Sequence, residues 1–204
     1  MLKDKYSMSF TTGGLFYNES VKIAVLYLKI KDWAEVRDEV LFINLLQQRT
    51  ENAAIRMCRE IISRLKLLTD EQIGILVDGN RQDQQYMLWV SVCRRYRFIY
   101  EFAVEVVREK FLRMDYDLKE AEYDVFFNRK AEWHDELDKL TPLTRKKQRQ
   151  VVFKILREAD IISAQKTILP VHMSQRLVDA ILKNNGHILD AFPMLKQNME
   201  VHCG

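Results

Sequence analysis

The stretch QDQQYMLWVSVCRRYRFIYEFAVEVVREKFLRM, residues 82–114, decides the fold. Its apolar residues recur at helical spacing. Many of its side chains are large and aromatic, namely Tyr86, Trp89, Tyr96, Phe98, Tyr100, Phe102 and Phe111. Such a length without an internal cap predicts either one long buried helix or two helices with a break near 94–97. We favour the break, and we expect this stretch to be the central core element.

The composition of the whole chain agrees with a helical fold. Of 204 residues, 48% are apolar and 30% are charged, which is typical of a globular chain and not of a disordered one. Six glycines and three prolines are too few for the many turns of an all-β protein. We predict an all-α globular protein with two helix-turn-helix-like units and at most one short hairpin near 160–173. It divides into parts 1–114 and 115–204 or forms one continuous globule.

Several functional classes find no support in the sequence. No apolar run approaches the roughly twenty residues that cross a bilayer, and no secretory signal follows the N-terminus, so we expect a cytoplasmic protein that does not bind a membrane. The four histidines and three cysteines show no metal-ligand spacing, and no catalytic motif is present. We therefore expect no enzyme activity, no metal, no cofactor and no small-molecule substrate.

On the N-terminal side of the central stretch, two helices are predicted within residues 32–68. Asp32 caps a helix that ends near Leu46, and Thr50 caps a second helix that extends to Leu68. Two helices joined by a short turn, with polar residues on the outer face of the second, are typical of a helix-turn-helix unit. The candidate DNA contacts on that face are Asn52, Arg56, Arg59, Ser63 and Lys66.

On the C-terminal side, helices are predicted over about 119–137, 143–159 and 174–185. The segment 141–157 contains six cations and not one Asp or Glu. A helical projection places its apolar residues on one side and Lys146, Lys147, Gln150, Lys154 and Arg157 on the other. A basic face of this kind gains affinity for a phosphate backbone, and Gln150 could read a base edge. The candidate contacts here are Arg145, Lys146, Lys147, Arg149, Gln150, Lys154 and Arg157.

Acidic residues are concentrated between the two basic regions. Residues 115–138 hold nine acids and three bases, so the net charge of this segment is 3 minus 9, or −6. Segregated charge of this kind can orient a protein on a duplex and leave the acidic side free for protein partners. A simple solvated acidic helix is the alternative interpretation.

Several long stretches resemble the BrxA family of the BREX (bacteriophage exclusion) defence systems. They are 9–15 (SFTTGGL), 88–111 around CRRYRF, 126–134 (FFNRKAEWH), and 138–142 continuing through 156–159. The resemblance extends from about residue 9 to residue 185. It implies membership of a multi-gene system that marks host DNA by methylation and blocks replication of unmarked phage DNA, with methyltransferase and ATPase activities in other proteins.

Together, the resemblance and the basic faces predict a non-catalytic accessory protein that binds double-stranded DNA mainly through its phosphate backbone. DNA contact rests on the basic faces and not on the family. The alternative is an adaptor that binds other BREX proteins through the acidic region or an aromatic surface.

Overall fold

The computed structural model describes residues 5–11 and 13–194. In this part of the chain the α-helices are α1 (Tyr17–Ile30), α2 (Trp33–Phe42), α3 (Glu51–Leu65), α4 (Asp70–Asp78), α5 (Arg81–Arg95), α6 (Arg97–Phe102), α7 (Glu109–Leu112), α8 (Glu120–Ala131), α9 (Asp135–Asp138), α10 (Pro142–Glu158) and α11 (Gln175–Leu182). A π-helical segment, Ala103–Arg108, joins α6 to α7, and a 3-10 helix, Gly186–Ala191, follows α11. The predicted all-α class is confirmed.

Most of the longer helices begin at a polar residue whose side chain accepts a hydrogen bond from the first turn. The capping residues are Asp32, Thr50, Thr69, Asn80, Thr141 and Ser174. Each cap satisfies a backbone N–H group that has no partner within its own helix, which fixes where the helix starts. Cap chemistry therefore explains why the helix starts after Asp32 and Thr50 could be predicted from the sequence.

The central stretch is broken, as predicted. Tyr96 takes an extended conformation, φ −124° and ψ 90°, between α5 and α6. Its buried side chain donates a hydrogen bond of 2.6 Å to Glu60 on α3. The break therefore lets the chain change direction while the tyrosine ties α3 to the core.

An aromatic cluster fills the core around Phe98, the second residue of α6. Its ring makes edge contacts with Tyr6, Tyr123, Phe126 and Phe127, at centroid distances of 5.1–5.8 Å. Edge-to-face packing is a favourable arrangement of aromatic rings. Buried residues from both halves of the chain belong to one hydrophobic cluster. The division of the chain into parts 1–114 and 115–204 stays a prediction.

Several helices differ from the prediction. Helix α3 ends at Leu65 and not at Leu68, and α11 ends at Leu182 and not at residue 185. The helix that begins after Asp32 ends at Phe42 and not near Leu46, and the stretch 119–137 forms two helices, α8 and α9. Helix α1 was not predicted at all. It begins at Tyr17, directly after Phe16, which has a left-handed backbone and provides no side-chain cap, so the sequence signal of a helix start is missing.

The segment 160–173 contains no helix, in agreement with the prediction. It forms single antiparallel bridges, Ile162 with Ile168 and Asp117 with Thr167, and no strand occurs in the described ranges. None of the helices in residues 5–11 and 13–194 combines the length and apolarity that crossing a bilayer requires.

Candidate nucleic-acid interface

Helix α10 carries the first candidate surface. Thr141 caps it and Pro142 occupies its first turn, where the missing N–H costs nothing. Val152, Ile155 and Leu156 are fully buried, which fixes the rotation of the helix on the core. The residues projected opposite these are all exposed: Lys146, Lys147, Gln150, Lys154 and Arg157.

The exposed cations of α10 have few internal partners. Lys146, Lys147 and Arg157 form no ion pair with any residue in the described part of the chain. Lys154 lies 3.7 Å from Glu158, one turn further along, and this pair is half exposed. Because exposed pairs at this spacing are weak, Lys154 can exchange its partner for a phosphate.

The other two cations of the basic segment face the protein. Arg145 donates a hydrogen bond of 2.6 Å to Asn128 and lies 4.0 Å from the ring centre of Phe127. Arg149 pairs with Asp124, and its Nε lies 3.3 Å from Glu120. Both side chains join α10 to α8. The structure therefore separates Arg145 and Arg149 from the other predicted contacts.

The acidic helix α8 is partly neutralised by these contacts. Lys166 lowers the pKa of Glu120, and Arg149 and Lys146 add to the same shift. Glu120 is therefore a carboxylate at neutral pH, with a salt bridge of 2.7 Å to Lys166. Part of the predicted acidic surface is thus used to hold α10 in place.

Helix α3 carries the second candidate surface. Asn52, Arg56, Arg59 and Lys66 are exposed, as predicted from the periodicity. Ser63 is half-buried; its hydroxyl donates to the Glu60 carbonyl and accepts from Arg95. Ser63 is therefore already hydrogen-bonded within the protein.

A short loop, Gly13–Phe16, lies between α3 and α10 in space and is hydrogen-bonded to both helices. Arg64 of α3 is buried and donates a hydrogen bond of 2.8 Å to the carbonyl of Gly14. Glu158 of α10 accepts one of 2.6 Å from the N–H of Leu15. One loop is thus held from both basic helices. Its first three residues, GGL at 13–15, belong to the stretch 9–15 on which the family resemblance rests.

This loop brings cations of both helices into one neighbourhood. A cavity of about 570 Å³ is lined by Lys154 and Arg157 of α10, by Arg81 and by Met57 of α3. A second cavity, of about 220 Å³, is lined by Arg56 and by the same Met57. Acids also line the larger cavity, namely Glu19, Glu158 and Asp160. Arg56, Arg81, Lys154 and Arg157 therefore surround a single patch.

Arg81 was missed by the sequence analysis. It is exposed at the first position of α5, and its guanidinium lies 5.5 Å from the ring centre of Tyr17. A cation at the N-terminus of a helix is disfavoured by the helix dipole, which is the one weak signal that could have identified it.

The part of the chain that the structure describes contains no cluster of metal ligands. No three or more His, Cys, Asp or Glu side chains are placed there to hold an ion. His134 is buried, with Nδ1 3.0 Å from a carboxylate oxygen of Glu136. Cys58 and Cys93 are buried free thiols, and burial raises the pKa of both. Cys203 lies outside the described residues.

The fold and the sequence both have relatives among known proteins. The crystal structure of an uncharacterized protein from Magnetospirillum magneticum superposes with a TM-score of 0.78 at 21% identity, covering 92% of this chain and 97% of that one. A protein named BREX protein BrxA from Bacillus cereus (strain H3081.97) is 27% identical over 81% of this chain and 84% of its own length.

A second protein of the same name, from Escherichia coli O9:H4 (strain HS), is 24% identical over 76% of this chain and 72% of its own length. The model of the BrxA family matches residues 4–185, a range that contains all the described helices from α1 to α11 and ends just before the 3-10 helix. The resemblance inferred from the sequence is thereby confirmed, and the chain belongs to the BrxA family.

Proposed function

We propose that this protein is a non-catalytic accessory of a BREX phage-defence system and that it binds double-stranded DNA through the exposed face of α10. The observation that carries the proposal is the exposed row Lys146, Lys147, Lys154 and Arg157 on one rigid helix. Three of these four cations have no ion-pair partner in the described residues. A helix of this kind can neutralise phosphates without first breaking internal pairs.

The contact surface extends from α10 across the Gly13–Phe16 loop. Arg56 and Arg81 border the same patch as Lys154 and Arg157. The acids Glu19 and Asp160 at this patch limit how closely a phosphate can approach its floor. We therefore place the phosphate contacts on the rim, where the cations are exposed.

The polar side chains of this surface offer little for sequence recognition. Gln150 is the one uncharged residue of the exposed α10 face that could pair with a base edge, as glutamine does with adenine. Phosphate contacts fix the position of a protein on a duplex but carry no sequence information. We infer binding to many sequences with a weak preference at most.

The test is the salt dependence of duplex binding by the purified full chain. Six cations, four on α10 plus Arg56 and Arg81, give a log-log slope of roughly −5 if each neutralises one phosphate, at about 0.9 per contact. Fluorescence anisotropy with a labelled duplex at several salt concentrations measures this slope. Absence of duplex binding at low salt, or a slope near zero, would overturn the proposal.

Protein interaction within a BREX assembly is a second candidate function. It is favoured by a different observation, the apolar groove between α2 and α3. The two functions use separate surfaces and are compatible in one molecule.

A further inference from the structure

A groove of about 580 Å³ runs between α2 and α3 and is not part of the α10 surface. Its lining on α3 extends from Ile55 to Lys66, a distance of about 16 Å at 1.5 Å per residue. This length corresponds to about three turns of an α-helix. The groove therefore has the dimensions of a site for one short helical segment.

The two helices that form the groove run in opposite directions. Hydrogen bonds from the N–H groups of Glu35 and Ala34 lower the pKa of Asp32, and Lys66 adds to this shift, which places the end of α3 beside the start of α2. Arg37, in the middle of α2, and Arg59, in the middle of α3, line the same groove. The groove is thus bordered by a helix on each side.

Apolar side chains provide most of the groove's floor. Trp33 and Leu41 of α2 face Ile55 and Ile62 of α3. Trp33 is held rigidly, because its ring is stacked on Tyr27 at a centroid distance of 3.9 Å. A phosphate backbone has no apolar surface that would cover such a floor, whereas a protein helix does.

Further apolar surface lies at the C-terminal end of α2. Phe42 is 87% exposed and Ile43 is 49% exposed, and both directly follow the groove residue Leu41. Single exposed apolar residues are common, but a contiguous apolar area next to a groove is typical of an interaction site.

The charges along the groove are predominantly positive. Arg37, Arg59 and Lys66 line it, against the single acid Asp38. Asp38 is already paired with Arg37 at 2.7 Å, whereas Arg59 and Lys66 have no ion pair in the described residues. Complementarity therefore requires carboxylates on the occupant, on the side of its apolar stripe that faces α3.

We propose that the groove between α2 and α3 is a docking site for an acidic amphipathic helix of a partner protein. Apolar residues of that helix at positions i, i+3, i+4 and i+7 would cover Trp33, Leu41 and Ile62. Its flanking Glu or Asp side chains would pair with Arg59 and Lys66. The inference does not depend on DNA binding by α10.

The probe is a labelled helical peptide of about 14 residues, with Leu at those four positions and Glu beside them. A second peptide keeps the leucines and replaces each Glu by Lys. Fluorescence anisotropy with the full chain measures affinity, and isoleucine methyl NMR shifts at Ile55 and Ile62 report the place of binding. We expect the acidic peptide to bind at least about tenfold more tightly than the basic one.

Two variants with the same change of charge locate the site. Ala34→Glu with Arg59→Glu changes the groove, while Lys147→Glu with Gln150→Glu changes α10. Ala34 is exposed in the first turn of α2, where a carboxylate suits the helix dipole, so folding is preserved and is checked by circular dichroism. The groove variant should lose peptide affinity by about tenfold or more, and the α10 variant should retain it.

Duplex affinity should fall in the α10 variant and be retained in the groove variant. Failure of this inference is therefore distinguishable from failure of the proposed DNA function. The docking site is refuted if neither peptide shifts Ile55 or Ile62, or if the basic peptide binds as well as the acidic one. It is also refuted if the groove variant loses duplex affinity and keeps the peptide, since DNA would then be the occupant. Concentration-dependent self-association abolished by the groove variant, without peptide binding, would assign the groove to a second copy of the chain.

Discussion

The guanidinium of Arg149, on the basic helix α10, is paired with the carboxylate of Asp124 on α8. Arg145, one turn earlier, is held against the same helix by Asn128 and Phe127. The basic segment therefore does two things. Its flank attaches α10 to the acidic helix, and its outer face presents the remaining cations to solvent.

Replacing Arg149 by Ala should lower the stability of the protein and leave its DNA affinity nearly unchanged. The pair is partly exposed, so we expect a loss of about 0.5–1 kcal/mol in the free energy of unfolding. Lys147→Ala is the matched control, because it removes the same charge from the outer face. It should leave stability unchanged and reduce the salt slope of duplex binding by about 0.9. A reduced salt slope in Arg149→Ala would mean that Arg149 leaves α8 to contact DNA.

Periodicity predicted the outer face of α10 correctly, because burial of one side of a helix fixes the direction of the other. All five residues projected opposite the apolar stripe are exposed. The positions of Arg145 and Arg149 could not be obtained in this way. They lie on the flank, and whether a flanking arginine reaches solvent or a neighbouring helix depends on which helix packs there. Likewise, Arg81 joins the patch through tertiary packing alone, since it lies far in sequence from both basic helices.

Reversing three charges on the outer face should abolish most of the DNA affinity. The triple variant combines Lys146→Glu, Lys147→Glu and Lys154→Glu. It loses three phosphate contacts, and the new carboxylates repel the phosphate backbone. We expect duplex affinity to fall by about 100-fold or more at moderate salt. Fluorescence anisotropy measures the affinity, and circular dichroism verifies that the exposed substitutions leave the helices intact.

Net charge alone could weaken binding, so the triple variant needs a matched control. Lys5, Lys29 and Lys139 are exposed elsewhere on the surface, and their reversal to Glu changes the net charge by the same amount. Their reversal should reduce affinity far less than the α10 triple variant does. Equal losses in the two variants would show that binding depends on overall charge and not on the α10 face.

The two outward arginines of α3 should behave differently, because the structure places them on different flanks. Arg56 borders the Gly13–Phe16 loop, and Arg59 lines the groove between α2 and α3. Arg56→Ala should reduce the salt slope of duplex binding by about 0.9, and Arg59→Ala should leave it unchanged. The reverse result would place DNA over the groove.

A side chain at Gly14, in the loop between the basic helices, should displace the ends of Glu158 and Lys154. A Cβ there would lie 2.3 Å from the Glu158 carboxylate and 2.9 Å from Cε of Lys154. Gly14→Ala would therefore displace Glu158 and remove its hydrogen bond with the N–H of Leu15. Because this bond involves a charged group, we expect a loss of about 1–3 kcal/mol in the free energy of unfolding, measured by urea denaturation.

Gly74→Ala provides the control for the same substitution at a site without crowding. Gly74 lies inside α4, and a Cβ there would meet no atom within 4 Å. Alanine is the better helix former, so this variant should be more stable than the parent by about 0.5–1 kcal/mol. If both variants shifted stability in the same direction, the contact of Gly14 with Glu158 and Lys154 would not be what holds the loop. If they shift in opposite directions, Gly14→Ala should also weaken duplex binding under conditions where it is fully folded, since Lys154 is displaced with Glu158.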